Sequence, residues 1–250
     1  MNPRAREVFF EIHSGLHREA PGDSRSTEKA FSMMAGLAAH PVVTDIGCGP
    51  GGQTLDIARL SGGQIIGVDM NMPYLIELKR RATASNLDDR VHAVQGDMLS
   101  LGFRESAFDV VWAEGSIYII GFERGLREWK RFIKPGGYLA VTEVAWLRPN
   151  PPDELKRYWA ENYPAIRAVK DHLKIIEVSG YEVTGHFALP ESAWWDDYYL
   201  PIERKLESLT EKYRDDEAAL EVIEESQAEI AIYKKFSDYY GYVFYVARTG

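Results

Sequence analysis

The feature that most constrains this chain is the run Pro41-Val42-Val43-Thr44-Asp45-Ile46-Gly47-Cys48-Gly49-Pro50-Gly51-Gly52. A short apolar stretch bounded by proline and glycines reads as a buried strand, and Gln53–Leu60 behind it spaces its apolar residues as a helix does. A strand that enters a helix through glycines lets a ligand come close to backbone N–H groups, because glycine has no Cβ to hold it off. Two ligand classes use such a turn. Gly47-x-Gly49-x-x-Gly52 satisfies the dinucleotide fingerprint, the signature of an NAD-dependent oxidoreductase. Asp45, two residues ahead of Gly47, points elsewhere. A carboxylate there repels a pyrophosphate, but it suits a ligand bearing an ammonium and a sulfonium.

Four further landmarks follow the glycine turn. Gln64–Asp69 is a strand ending in an acid, and Val91–Met98 is another ending in Asp97-Met98. Ala107–Gly115 reads as a fourth strand, and Lys134-Pro135-Gly136-Gly137 turns into a fifth through Val141. Together with Asp45-Ile46-Gly47-Cys48-Gly49-Pro50-Gly51, these elements make residues 41–145 resemble the class I S-adenosylmethionine-dependent methyltransferases. The resemblance implies an α/β fold: a Rossmann-like seven-stranded sheet with helices on both faces and its last strand antiparallel. It also implies S-adenosylmethionine as cofactor, S-adenosylhomocysteine as product, and no metal. Gly47, Gly49 and Gly51 would admit the methionine moiety, with Cys48 and Gln53 in the same loop. Asp45 would orient the ammonium, with Glu114 or the Ala113 carbonyl nearby. Asp69 would accept the ribose hydroxyls, Met70 pack on the adenine, Asp97 accept its amino hydrogen, and the Met98 N–H reach a ring nitrogen. Cys48 reads as a small loop filler rather than a nucleophile.

Bulk properties set limits. The 250 residues suffice for one α/β domain with a cap. The net charge of −9, without a basic run longer than Lys79-Arg80-Arg81, disfavours a nucleic-acid partner. The single cysteine rules out an internal disulfide and suits a reducing, cytoplasmic setting. The first residues lack the apolar core of a signal peptide, and no apolar stretch reaches membrane-spanning length. Asn150-Pro151-Pro152-Asp153 reads as a loop ahead of a helix. His13-x-x-x-His17 has the spacing of a metal pair but no local third ligand.

The flanking segments should choose the substrate. Residues 1–40 hold two helices, Arg4–His13 and Ser26–Ala39, which resemble a lid bringing His17 and Arg18 to the cofactor. Residues 146–189 supply helices over Asp153–Asn162 and Pro164–Ser179, a stop at Gly180 and a sixth strand over Tyr181–Leu189. Residues 190–238 form a helical excursion before the last strand, which lies in 239–250. Along the excursion, Ile202, Leu206, Leu209, Tyr213, Leu220, Ile223 and Ile230 form an apolar stripe. It docks on its own domain or on a second copy, making a monomer or a homodimer. The excursion and the Tyr239–Val246 ending resemble small-molecule methyltransferases related to the ubiquinone/menaquinone-biosynthesis C-methyltransferases.

Methyl transfer is an in-line displacement at an activated carbon, so alignment and water exclusion supply most of the rate, about 7–11 kcal/mol at best. A base is needed only for an acceptor protonated at neutral pH. Candidates are Glu114, Tyr118, Glu143, His13 and His17, while Tyr118, Trp146, Tyr163, Trp194 and Trp195 suit a planar or apolar acceptor. The expected function is methyl transfer to a small molecule. An NAD-dependent oxidoreductase and a catalytically silent, cofactor-binding interaction protein are the alternatives.

Overall fold

The computed structural model describes residues 2–250. Its strands are β1 (Val42–Ile46), β2 (Gln64–Asp69), β3 (Val91–Gln95), β4 (Phe108–Ala113), β5 (Ile133–Trp146), β6 (Arg167–Ala168), β7 (Tyr181–Ala188) and β8 (Tyr240–Thr249). The sheet runs in the order β3-β2-β1-β4-β5-β8-β7. β1 to β5 pair in parallel, whereas β8 runs antiparallel to both β5 and β7. Central parallel strands are covered on both faces, which is why Val43 and Ile46 of β1 enter opposite apolar layers. The order reverses between β1 and β4, and ligands of open α/β sheets bind outside the strand ends at such a point.

The helices are α1 (Pro3–His13), α2 (Ser24–Ser32), α3 (Gly52–Ser61), α4 (Met72–Ala84), α5 (Ile117–Ile120), α6 (Phe122–Trp129), α7 (Asp153–Asn162), α8 (Val169–Val178), α9 (Ser192–Trp194), α10 (Leu200–Lys212) and α11 (Glu217–Phe236). α2, α3 and α4 cover one face of the sheet; α5, α6 and α8 cover the other. The stripe of the excursion docks on its own chain. Ile202, Leu206, Leu209, Tyr213, Ile223 and Ile230 are buried in one cluster with Ala5, Val8, Ile12 and Leu16, and Leu220 packs at its margin. Each fully buried apolar side chain there contributes about 1.5–3 kcal/mol.

Two sequence expectations need correction. α2 starts at Ser24 because the Asp23 carboxylate caps it, accepting the Ser26 N–H at 2.6 Å, and it ends at Ser32 rather than Ala39. The helix expected from Pro164 begins only at Val169. Tyr163 precedes a proline and leaves the helical region, and the freed chain pairs as β6 with the end of β5. Within residues 1–40, α1 packs on the excursion and α2 on the sheet face, and the segment between them lies against the glycine turn. Among the described residues, no helix is long and apolar enough to cross a membrane.

Candidate functional site

The turn after β1 is held by backbone: the N–H groups of Gly47 and Cys48 both donate to the Val68 carbonyl, at 2.8 and 3.0 Å. Gly47 and Gly51 have φ of +75° and +90°, where a side chain is strained. Close approach separates their tasks. A Cβ on Gly47 would stand 2.5 Å from that of Ser116, and one on Gly51 would collide with Leu78 of α4. Gly51 therefore seats the loop on α4 and does not border the cavity at the strand ends, against the sequence expectation. The neighbour of Gly49 is the Glu19 side chain. Cys48 is buried, and its thiol is pushed well up by burial first and by Asp45 and Asp69 second. Gln53 braces the turn by donating to the Cys48 carbonyl at 3.2 Å.

The strand-end acids differ in state. Asp45 is 0% exposed; one oxygen accepts the Thr54 hydroxyl at 2.6 Å and the other has no partner. Burial raises it to about 7, against the hydrogen bond from Thr54. Asp69 accepts the N–H of Gly49 at 2.9 Å and of Asn71 at 2.8 Å, and burial raises it as well. Asp97 accepts the Leu99 N–H, Met70 is exposed, and the Met98 carbonyl accepts the Trp129 indole N–H.

Glu114 is committed. Its oxygens accept Arg18 Nη1, the Thr27 hydroxyl and the Trp112 indole N–H, all at 2.9 Å. Burial raises this carboxyl, and the Arg18 charge offsets part of the shift. That occupancy makes Glu114 the anchor of the N-terminal segment and removes it as a base. Arg18, 3% exposed, also binds Asp56 at 2.7 Å. Beyond this anchor, the crossing segment Arg18–Pro21 lies against Gly47, Gly49 and Gln53 and leaves a cavity of about 40 Å³. Glu19 accepts the Tyr74 hydroxyl at 2.7 Å, and burial raises it to about 7. Sequence reasoning missed Glu19 and the Arg18–Asp56–Thr27 arrangement; Arg18 itself was considered only as a cofactor contact.

Next to this cleft lies a chamber of about 280 Å³, and the two share Glu19, Ala20, Pro21 and Gly115. Tyr118, Tyr163 and Trp194 line it together, as does Glu229. Trp146 packs in the excursion cluster instead and does not line the chamber. Trp195 packs there too and caps its own turn, donating to Glu191. Glu143 is buried, neither of its oxygens has a hydrogen-bond partner among the described residues, and burial pushes it up to about 8. The two histidines part ways. His13 is buried between the Phe9 carbonyl and the Tyr198 hydroxyl, while His17 faces Arg81 at 3.4 Å and borders neither cavity. Among the described residues, no group of three or more His, Cys, Asp or Glu is arranged to hold a metal.

Residues 43–137 match the family model described as "Methyltransferase domain". The chain is 35% identical over 128 residues to a sterol 24-C-methyltransferase of Eremothecium gossypii, a match covering 51% of this chain and 34% of that protein. It is 28% identical over 251 residues to the 27-O-demethylrifamycin SV methyltransferase of Amycolatopsis mediterranei, covering 96% and 88%. The matched region spans about a third of the length of the sterol methyltransferases. Among solved structures, a methyltransferase of Geobacter sulfurreducens in complex with S-adenosyl-L-homocysteine superposes with a TM-score of 0.81 at 22% identity, covering 100% of this chain and 99% of that one. The [4+2]-cyclase SpnF superposes at 0.76 and 21%, covering 98% and 92%. A methyltransferase-domain model thus covers residues 43–137, and the chain as a whole shares its fold with solved methyltransferases. The oxidoreductase alternative is not favoured: the family model and both relatives are methyltransferases.

Proposed function

We propose that this chain transfers a methyl group from S-adenosylmethionine to a small-molecule acceptor, leaving S-adenosylhomocysteine. The observation that carries the reading is the shared wall: a glycine-turn cleft and an aromatic chamber meet at Glu19–Pro21 and Gly115. The Geobacter sulfurreducens neighbour, in complex with the product, supports the cofactor, and the two relatives, named for sterol and rifamycin substrates, support a small-molecule acceptor.

The residues suit the cofactor. Asp45 presents a buried oxygen with no partner, and a nearby ammonium would favour its ionised form. Asp69 accepts the ribose hydroxyls, Asp97 accepts the adenine amino hydrogen, and the Met98 N–H donates to a ring nitrogen, with Met70 against the ring. Gly47, Gly49 and Gln53 form the floor beneath the methionine moiety. When bound, S-adenosylmethionine supplies a methyl carbon already activated by a sulfonium. The cavity of about 40 Å³ is smaller than such a ligand, so Glu19–Pro21 must lift for entry, acting as the lid, while Arg18 stays paired with Glu114 and Asp56. Tyr118, Tyr163 and Trp194 then hold the acceptor and exclude water. The chain works as a monomer or homodimer, and its buried lone cysteine suits a reducing compartment.

Calorimetric titration with S-adenosylmethionine, S-adenosylhomocysteine and NAD tests the cofactor, and transfer of an isotopically labelled methyl group tests the reaction. Micromolar binding of the two sulfur ligands, with no binding of NAD, is expected. Binding of NAD alone would overturn the reading. Cofactor binding without turnover across an acceptor panel would favour the silent alternative.

A further inference from the structure

The chamber extends beyond the lid. A second cavity of about 370 Å³ shares Phe9, Tyr158, Asn162, Tyr198, Tyr199 and Glu229 with it. The ionisable lining is one-sided: Glu19, Glu225 and Glu229 border the two cavities, whereas no lysine or arginine does. His13 borders the second cavity, where burial lowers its pKa and so disfavours its charged form. Lys205 and Arg81 are tied to carbonyls at and beyond the end of α1, Lys205 to those of Ile12 and Ser14, Arg81 to those of Leu16 and His17. An anionic acceptor would find no counter-charge here.

Glu229 is held on one side. Its Oε1 accepts the Tyr199 hydroxyl at 2.9 Å, while no hydrogen bond engages Oε2. Glu229, Glu19 and Tyr198 all line the chamber, and the charge of each carboxyl adds to burial in raising the Tyr198 phenol. A cation between aromatic faces and a carboxylate is stabilised by both. Trp194, stacked on Tyr233 at 4.2 Å, is part of that aromatic wall.

Building on the methyltransferase reading, we propose that the acceptor is an amine with an aromatic or apolar body: its ammonium rests against Glu229, and its body lies among the aromatic side chains of the chamber. In the reaction one ammonium proton passes to Glu229, freeing the nitrogen lone pair. That pair forms the C–N bond to the methyl carbon while the C–S bond breaks and its electrons return to sulfur. The positive charge of the sulfonium thus ends on the methylated nitrogen.

The test is calorimetry with three matched probes: tyramine, its neutral isostere 4-hydroxyphenethyl alcohol, and the anion 4-hydroxyphenylacetate. Tyramine should bind at least tenfold tighter than the alcohol, and the carboxylate should not bind. Glu229→Gln, its fold checked by circular dichroism, should erase the preference for the amine. Equal binding of alcohol and amine, binding of the carboxylate, no binding of any probe at millimolar concentration, or a preference that survives Glu229→Gln would overturn the proposal. S-adenosylhomocysteine is titrated separately. If it fails to bind while the amine preference holds, the methyltransferase reading falls and the amine site stands.

Discussion

Around Gly47 and Gly51 the cleft is shaped by backbone: positive φ values, two N–H groups on one carbonyl, and glycines pressed against Ser116 and Leu78. A few residues apart across Gly115, the chamber is shaped by side chains that converge from α1, α5, α7, the excursion and β8. The first construction leaves almost no freedom of residue type, because each position answers to a dihedral or a contact. The second needs only apolar volume and a few polar atoms, which many sequences can supply. Chemistry common to a fold is therefore expected in the cleft, and chemistry particular to this chain in the chamber.

The comparison can be broken most sharply at Arg18. Arg18→Met leaves the buried Glu114 carboxyl without its cation, while Asp56 keeps Arg59, and about 3–5 kcal/mol of stability should be lost in urea unfolding. A loss under 1 kcal/mol would show that the anchor beneath the cleft is dispensable. Asp69→Ala should weaken S-adenosylhomocysteine binding roughly 100-fold in calorimetry, since hydrogen bonds to a charged group contribute about 1.5–3 kcal/mol each. Its circular dichroism should be unchanged. Wild-type affinity in that variant would count against the ribose role of Asp69. Gly51→Ala should cost about 1–3 kcal/mol through the +90° dihedral and the contact with Leu78, whereas Gly102→Ala, with open space around it, should be near neutral. Equal thermal shifts for the two glycines would erase the distinction between packed and free loop positions.

The smallest effect concerns pH. Burial raises Asp45 and Glu19 to about 7 and Glu143 to about 8, so each holds a proton in the fold that the unfolded chain has released. Their contribution is present below the ordinary carboxylate pKa near 4 and is lost as pH rises through 7 to 8. His13 and His172, both lowered by burial, act oppositely but only below about 6.5. Between pH 6.5 and 8.5 the melting temperature of the ligand-free protein should therefore fall, by about 2–4 °C per kcal/mol for a chain of this size. Glu143→Gln should flatten that fall at its alkaline end, as differential scanning fluorimetry would read. An unchanged slope would place the titration in the cleft alone.

What the sequence made legible follows the same division. The strand ends, Asp45, Asp69 and the glycine turn are local patterns, each set within about ten residues, and the structure places them at one end of the sheet. Arg18 was legible only as a lid residue facing the cofactor, because its partners stand 38 and 96 residues away. Glu229 looked like any charge on a helix that also carries Glu221, Glu224 and Glu225; only tertiary packing turns it inward. Trp146 and Trp194 had the same aromatic signal, and nothing local told which would face the chamber. β6 was hidden for a similar reason, since a two-residue pairing leaves no periodicity to read.

Glu19, Ala20 and Pro21 border both the cleft and the chamber, so a single short segment is the door of one room and the partition of the other. Kinetically, the two ligands cannot come and go independently. A closed segment that completes the acceptor's wall also retains whatever lies beneath it, so initial rates should show an ordered sequence, S-adenosylmethionine binding first and S-adenosylhomocysteine leaving last. Random-order patterns would mean that the door and the partition move separately.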